Sequence, residues 1–400
     1  MNQGITNISL DLYQTLAVAV GALFLGRLLR KKIRFFERFC IPAPVIGGGV
    51  VAVLVLLLSL LGILEVSFDE TLKDICMVIF FTTVGYLVNV SILKSGGKAL
   101  LRLLVVITLI AFLQNGIALA LTKVLNVPPL LSLCVGSVSQ LGGHGTSAAF
   151  GPVLEENGLA GASTLCAAAA TFGLIGGGLI GGPIGNALIR KKDLVKTAAA
   201  GADLPEEKKE KPKDTVYRLA PAACHLALAI GIGSAVSWLI SLTGLVFPKY
   251  LGGLITGAVI SNLGTLSGKY PVYDREVRDI GAAMLDFFLG IALVTLKLRM
   301  LAGLAVPMLV ILCVQVAFMA VFAWFAAFRI LGGDYDAAVL TAGVCGFGLG
   351  ATPNAMANVQ SVTSGRPRSK TAYLLIPVAG GLFLDLINSF TIVLFINLLK

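Results

Sequence analysis

Apolar runs of about 20 residues recur from one end of this chain to the other, divided by short polar segments, and that is the length an α-helix needs to cross roughly 30 Å of hydrocarbon. Stretches such as VIGGGVVAVLVLLLSLLGIL (residues 45–64) show no period-2 alternation, which excludes a barrel and leaves helices. The pattern predicts spans near 10–29, 42–62, 73–92, 100–122 and 159–189, then 219–245, 248–265, 280–298, 301–328 and 371–398. The expected class is an all-α polytopic membrane protein. The first run lacks a basic segment before it and a small-residue cleavage site after it, so it reads as a retained span.

Composition agrees. Hydrophobic residues make up 57% of the chain and charged residues 13%, with a mean hydropathy of +0.92, which excludes an ordinary soluble domain. A net charge of +10 would suggest nucleic acid in a soluble protein, but here the basic residues collect in connections and set topology, so no nucleic-acid partner is expected. Arg27, Arg30, Lys31, Lys32, Arg34 and Arg38 follow the first span, while Glu65, Asp69 and Glu70 follow the second. By the positive-inside rule the amino terminus faces out. Five crossings then bring the Lys/Ala/Glu/Pro-rich stretch 190–214 to the cytoplasm as a solvated linker, counted to residue 217; Lys297 and Arg299 fall outside, against the rule. Seven scattered cysteines give neither a disulfide framework nor a zinc site.

Sliding the sequence by 205 places sets Gly47-Gly48 on Gly252-Gly253, Gly85 on Gly290, Gly143 on Gly348 and Gly145 on Gly350. Spans and polar breaks recur in the same order. An odd number of spans per half predicts two inverted-topology repeats, 1–189 and 218–400, joined by the linker. Each keeps one Gly-rich segment, 128–155 and 335–362, whose limbs are too short to span; these are expected as re-entrant hairpins, the first from outside and the second from inside. Ser139, Gly142, Gly143, His144, Gly145 and Thr146 stand in the first, and Gly348, Gly350, Thr352, Asn354 and Asn358 in the second. Glycines let the backbone turn and approach a ligand; the others supply polar groups.

The motifs SQLGGHGTSAAF, ATFGLIGGGLIGGPIGNALI and YDAAVLTAGVCGFGLGATPNAMANVQ, with IPAPVIGGG at 41–49 and FLDLIN at 383–388, closely resemble the bacterial sodium/glutamate symporters. The resemblance runs the whole length. It implies sodium-coupled uptake of L-glutamate through the bacterial inner membrane, two inverted five-helix halves with re-entrant hairpins, and a homodimer with an elevator-like mechanism. A related family of citrate-type 2-hydroxycarboxylate transporters shares that fold.

Glutamate brings two carboxylates and one ammonium. No Arg or Lys stands mid-span, so the expected anion donors are backbone amides and helix amino-termini at the hairpins, where the macrodipole is positive, assisted by hydroxyl and amide side chains, with a basic residue from a span end as the alternative. Asp385, inside an apolar helix, is the candidate for the ammonium, with Asn388 one turn on; a structural pair between helices, or a sodium ligand, is the alternative. Asp286 reads as interfacial. Sodium ions would be held by carbonyls and by Ser139, Thr146, Thr352, Asn354 and Asn358. His144 opens a proton-coupled alternative, against a hairpin-tip hydrogen bond. Gln114 and Gln315 either orient the hairpins or join helices. Paired half-helices also build channels, which is the rival class; a membrane enzyme lacks any metal motif, nucleophile elbow or acid/base cluster.

Overall fold

A computed structural model describes residues 6–88, 90–191, 193–197, 215–242, 248, 250–301 and 303–399. Most of the expected linker, at 192 and 198–214, lies outside the described residues. In chain order the elements are β1 (Thr6–Leu10), α1 (Leu12–Lys32), α2 (Arg34–Arg38), α3 (Ala43–Leu60), β2 (Leu64–Phe68), α4 (Thr71–Leu87) and α5 (Val90–Val124). There follow α6 (Leu131–Val135), α7 (Gly143–Glu156), α8 (Ala162–Lys191), α9 (Thr215–Ser241), α10 (Tyr250–Ser267) and α11 (Asp274–Val294). The last are α12 (Ala305–Phe322), α13 (Phe328–Ile330), α14 (Tyr335–Gly348), α15 (Thr352–Thr363), α16 (Lys370–Val378) and α17 (Leu384–Leu398). Short π-helical turns, Ala323–Ala327 and Ala379–Phe383, join α12 to α13 and α16 to α17.

Among the described residues, seven helices are long and apolar enough to cross a membrane: Leu12–Lys32, Ala43–Leu60, Gly97–Val124, Ala162–Lys191, Arg218–Ser241, Ala305–Ile330 and Lys370–Leu398. The expected spans at 73–92, 248–265 and 280–298 are helices too, namely α4, α10 and α11, but they fall outside this group. The first has 17 residues, the second is rich in Gly, Ser and Thr, and the third carries acidic and basic residues in its first turns. α4 packs against both α10 and α11, which also pack on α9 and α3, so protein rather than lipid surrounds much of their surface. The ends of α1 show how local chemistry fixes an element. Asp11 accepts from Gln14 N at 2.8 Å while Gln14 Oε1 accepts from Asp11 N at 3.0 Å, closing a capping box, and Arg30, Lys31 and Lys32 sit at the negative end of the macrodipole.

The all-α expectation needs one correction. β1 and β2 form a two-stranded parallel pair, Thr6 opposite Leu64 and Leu10 opposite Phe68. β1 leads into α1 and β2 follows the returning α3, so both strands lie at one end of this helix pair, running the same way. Five-residue strands are too short for the sequence pattern to announce.

The helices sort into two groups. α1, α3, α4, α9, α10 and α11 pack mainly on one another as a panel; α5 to α8 and α12 to α17 pack mainly on one another as a core. Each group takes helices from both halves of the chain. Inside the panel, glycines bring backbones into contact. A Cβ on Gly47 would strike the Ala22 carbonyl of α1, and one on Gly252 would strike the Gly233 carbonyl of α9. Gly48 faces Leu293 of α11, and Gly253 faces Thr82 of α4. The glycine pair aligned by the 205-residue shift thus makes matching contacts in both halves. Overpacking such a seam costs about 1–3 kcal/mol. Accordingly, Gly47→Leu and Gly252→Leu are expected to lower the thermal midpoint of the detergent-solubilised protein by several degrees. Gly49→Leu, whose Cβ meets nothing within 4 Å, should leave it unchanged.

Candidate functional site

Both Gly-rich segments are helix, break, helix. In the first, α6 has five residues and ends at Gly136, an irregular tract runs to Gly142, and the 14-residue α7 follows. In the second, α14 has 14 residues and α15 has 12, with Leu349 to Ala351 between them. At 1.5 Å per residue no limb exceeds about 21 Å. The start of α14 is tied to the chain just past α15 and to α16. Tyr335 Oη donates to the Pro367 carbonyl at 2.5 Å, and Thr371 Oγ1 donates to Asp336 Oδ2 at 2.6 Å, at the foot of α14.

The two breaks touch. Gly143 adopts φ +60°, in the left-handed region, and a Cβ there would run into the Gly350 carbonyl. Gly173 of α8 leaves room for both the Leu349 carbonyl and the Gln140 side chain, so α8 meets both breaks at one point. Neither α7 nor α15 has a side-chain cap. Their positive ends therefore start beside one another without side-chain caps, the Gly143 N–H donating to the Ser139 carbonyl at 3.1 Å.

Buried amides hold the freed carbonyls. Gln114 Nε2 donates to the Gly348 carbonyl at 2.6 Å, and Gln315 Nε2 to the Gln114 carbonyl at 2.7 Å. Of the two, Gln114 grips a break and Gln315 ties α12 to α5. Asn388 Nδ2 reaches the Ser137 carbonyl at 2.9 Å; Asn354 Nδ2 reaches Leu174 O at 2.8 Å. Asn358 Nδ2 lies between the Gly177 and Ala342 carbonyls, at 3.0 and 3.2 Å. Among the described residues, the amide oxygens of Gln114, Gln140, Gln315, Asn354 and Asn388 are buried without a hydrogen-bond partner. Each of these bare oxygens is an acceptor that an oxygen-seeking cation could take.

Several expected site residues come together. Thr146 Oγ1 donates to Asp385 Oδ1 at 3.4 Å, and Gly142 leaves room for both Thr146 and Asn388. Gly145 looks across to Leu285 and Phe80 of the panel at 3.9 and 4.0 Å. Gly380, in the π-helical turn before Asp385, abuts Thr352. Others stand apart: Asn358 clamps α15 to α8 and α14, and Ser139 Oγ accepts from Gln140 at 3.1 Å. His144 Nε2 meets Thr171 Oγ1 at 3.0 Å, and that hydroxyl already donates to Ala167 O at 3.0 Å, so His144 Nε2 carries the hydrogen. Asp286 pairs with Arg27 at 3.0 Å between α11 and α1, an interfacial contact.

Sequence reasoning missed four residues here. Asn115 brackets Ser137, donating to its hydroxyl at 2.9 Å and accepting from its N–H at 2.8 Å. Gln140 bonds the Ala169 carbonyl at 3.0 Å, and the Tyr250 hydroxyl lies close to Ser389 and Asp385. The signal available was an amide beside Gln114 in an apolar run, and another within the first break. Lys73, at the start of α4, was also overlooked. It lines a cavity of about 250 Å³ that ends at His144.

Known proteins with this pattern carry a common label. The profile of the sodium/glutamate symporters matches residues 8–366. The sodium/glutamate symporter of Escherichia coli K12 is 39% identical over 399 residues, covering 97% of this chain and 98% of the relative. The sodium/glutamate symporter of Haemophilus influenzae is 40% identical over 383 residues, covering 94% and 95%. A solved sodium proton antiporter from Methanocaldococcus jannaschii aligns over 96% of both chains at 19% identity, with a TM-score of 0.41. Matched along nearly its whole length by the family profile and by the two symporters, this chain belongs to the sodium/glutamate symporter family.

Proposed function

We propose that this protein imports L-glutamate across the bacterial inner membrane, driven by sodium, as a homodimer working by an elevator-type exchange. The observation that carries this reading is the meeting of two uncapped helix amino-termini, α7 and α15, beside a half-buried carboxylate, Asp385. An amino acid with two carboxylates fits that charge pattern: carboxylates at the positive helix ends, ammonium at Asp385. The family relatives named for sodium and glutamate support the same substrates.

The geometry and the charge distribution support the rest of this reading. The segments 128–155 and 335–362 act as re-entrant hairpins within inverted repeats 1–189 and 218–400, a reading supported by the matched glycine contacts of the panel. Substrate lies against Gly142, Gly143, Gly145, Thr146, Gly348, Gly350 and Thr352, facing the panel across Phe80 and Leu285. Sodium takes the buried amide oxygens, including those of Asn354 and Asn388, together with Thr146, Thr352 and nearby carbonyls. Panel and core are the two bodies that move past each other. The amino terminus lies outside and the linker inside.

The deciding experiment is uptake of labelled glutamate into proteoliposomes. An inward sodium gradient without a proton gradient is expected to concentrate it, and His144→Gln should keep part of that activity. Sodium-independent uptake driven by external acid, and lost in His144→Gln, would reverse the choice of coupling ion.

Gly143→Val is expected to abolish transport while the protein still inserts, because a branched side chain opposes φ +60° and collides with the Gly350 carbonyl. Gly116→Ala, where a Cβ meets nothing within 4 Å, is the matched control.

Asp385→Asn should weaken glutamate recognition far more than that of glutarate, which keeps both carboxylates and has no amine. Removing one partner of a buried charge pair costs on the order of 2–5 kcal/mol, tens- to thousands-fold in affinity. Inhibition by both compounds at several sodium concentrations checks it. A raised sodium requirement for every ligand would move Asp385 to the ion site instead.

A further inference from the structure

The cavity that ends at His144 is built as a passage. Its α7 wall is His144, Ala148, Pro152 and Glu155, successive positions on one helix face, so it follows α7 for roughly 16 Å from the first turn to the last. The facing wall is panel: the start of α4 with Glu70 and Lys73, and the end of α11 running to Lys297. Its mouth lies at the end of the helices that carries β1 and β2.

Within it, Lys73 is out of place energetically. A cation in the first turn of a helix opposes the macrodipole, so Lys73 does nothing for α4. Its side chain is 6% exposed, whereas that of its ion-pair partner Glu70 is 49% exposed. Glu70 occupies the cap position of α4 yet makes no capping hydrogen bond, its carboxylate being spent on Lys73. The buried lysine is fixed, and the half-exposed glutamate is free to turn out to water. A buried ammonium has to keep an anion, but nothing requires that the anion be Glu70.

The geometry points to Lys73 as a relay for the substrate: a carboxylate of the incoming dicarboxylate displaces Glu70 from Lys73 on its way along α7 to the breaks. The exchange is non-covalent, one carboxylate for another on the same ammonium, with Glu70 released to solvent. This rests on the reading of the chain as a glutamate carrier, and adds a cationic step between the mouth and the site. Lys297, exposed at the mouth, supplies a second positive charge at the start of the path.

Opposite effects of the two partners test it. In proteoliposomes, Lys73→Gln is expected to raise the external KM for glutamate on the order of tenfold, leaving the sodium dependence unchanged and the protein normally folded, with Lys73→Arg restoring function. Glu70→Gln removes the competing carboxylate and should lower that KM. A purely structural ion pair would send both variants the same way; that result, or no shift in either, overturns the inference while leaving transport intact. If the wild type takes up no glutamate, the carrier reading has failed, and the passage is judged by Ala148→Cys labelled from outside. Protection by glutarate or citrate at lower concentration with Glu70→Gln than with Lys73→Gln supports the relay, and equal protection overturns it.

Discussion

The constraint on which this structure turns is the fate of backbone carbonyls and amides set loose where two helices break inside an apolar protein. Each such group left alone would cost several kcal/mol, on an order-of-magnitude scale, because no lipid tail can replace its lost partner. The chain answers with amide side chains placed singly on the neighbouring helices. Gln114 takes the Gly348 carbonyl, Asn388 takes Ser137 O, and Asn115 takes the hydroxyl and N–H of Ser137, while Asn354 of the second break ties back to Leu174 O of α8. A carboxamide suits the task because it donates to a carbonyl without bringing a charge. Its own oxygen is then left over, and five such oxygens remain bare. The means of stabilising the breaks therefore also makes a bed of acceptors.

Glycine divides the labour between the two layers. In the panel, Gly47 and Gly252 let backbones touch, so the helices lock by close contact. In the core, the glycines of α8 serve a different end. Gly173, Gly177, Gly181 and Gly185 follow one face and leave space for Leu349, Asn354, Asn358 and Val362 of the second break. Between the layers, by contrast, Gly145 meets Leu285 and Phe80 only at van der Waals distance. The closest backbone approaches lie within each layer; between the layers, side chains such as Tyr250 of α10 and Phe150 of α7, edge to face at 5.9 Å, share one buried apolar cluster.

Much of this was legible in the sequence where composition is abnormal for its surroundings. Runs of glycine with His144, Thr146 and Asn354 stand out in an apolar chain, and a carboxylate at Asp385 stands out in an apolar helix. The pairing of partners was not legible, since Thr146 and Asp385 lie 239 residues apart and no local pattern encodes their contact. The expected spans at α4, α10 and α11 are helices that fall short of the other seven in length or apolarity, because a helix faced by protein over much of its surface can carry small and polar residues. Lys73 escaped notice for the opposite reason. A lysine at the start of a span reads as an ordinary membrane-interface charge, and only its burial beside Glu70 and the cavity sets it apart.

On the proposed reading, coupling follows from electrostatics at the breaks. The positive ends of α7 and α15 favour an anion, while the unpartnered amide oxygens and Asp385 favour cations, and all of them lie in a region from which water is largely excluded. Neither charge type is comfortable there alone: carboxylates crowd against the bare oxygens, and sodium faces the positive helix ends. Bound together, each neutralises what the other lacks. Each ligand then raises the affinity for the other by the same factor, as linkage requires, whichever binds first. Sodium dependence of glutamate affinity would thus be a property of the shared site, with no separate device needed to transmit it.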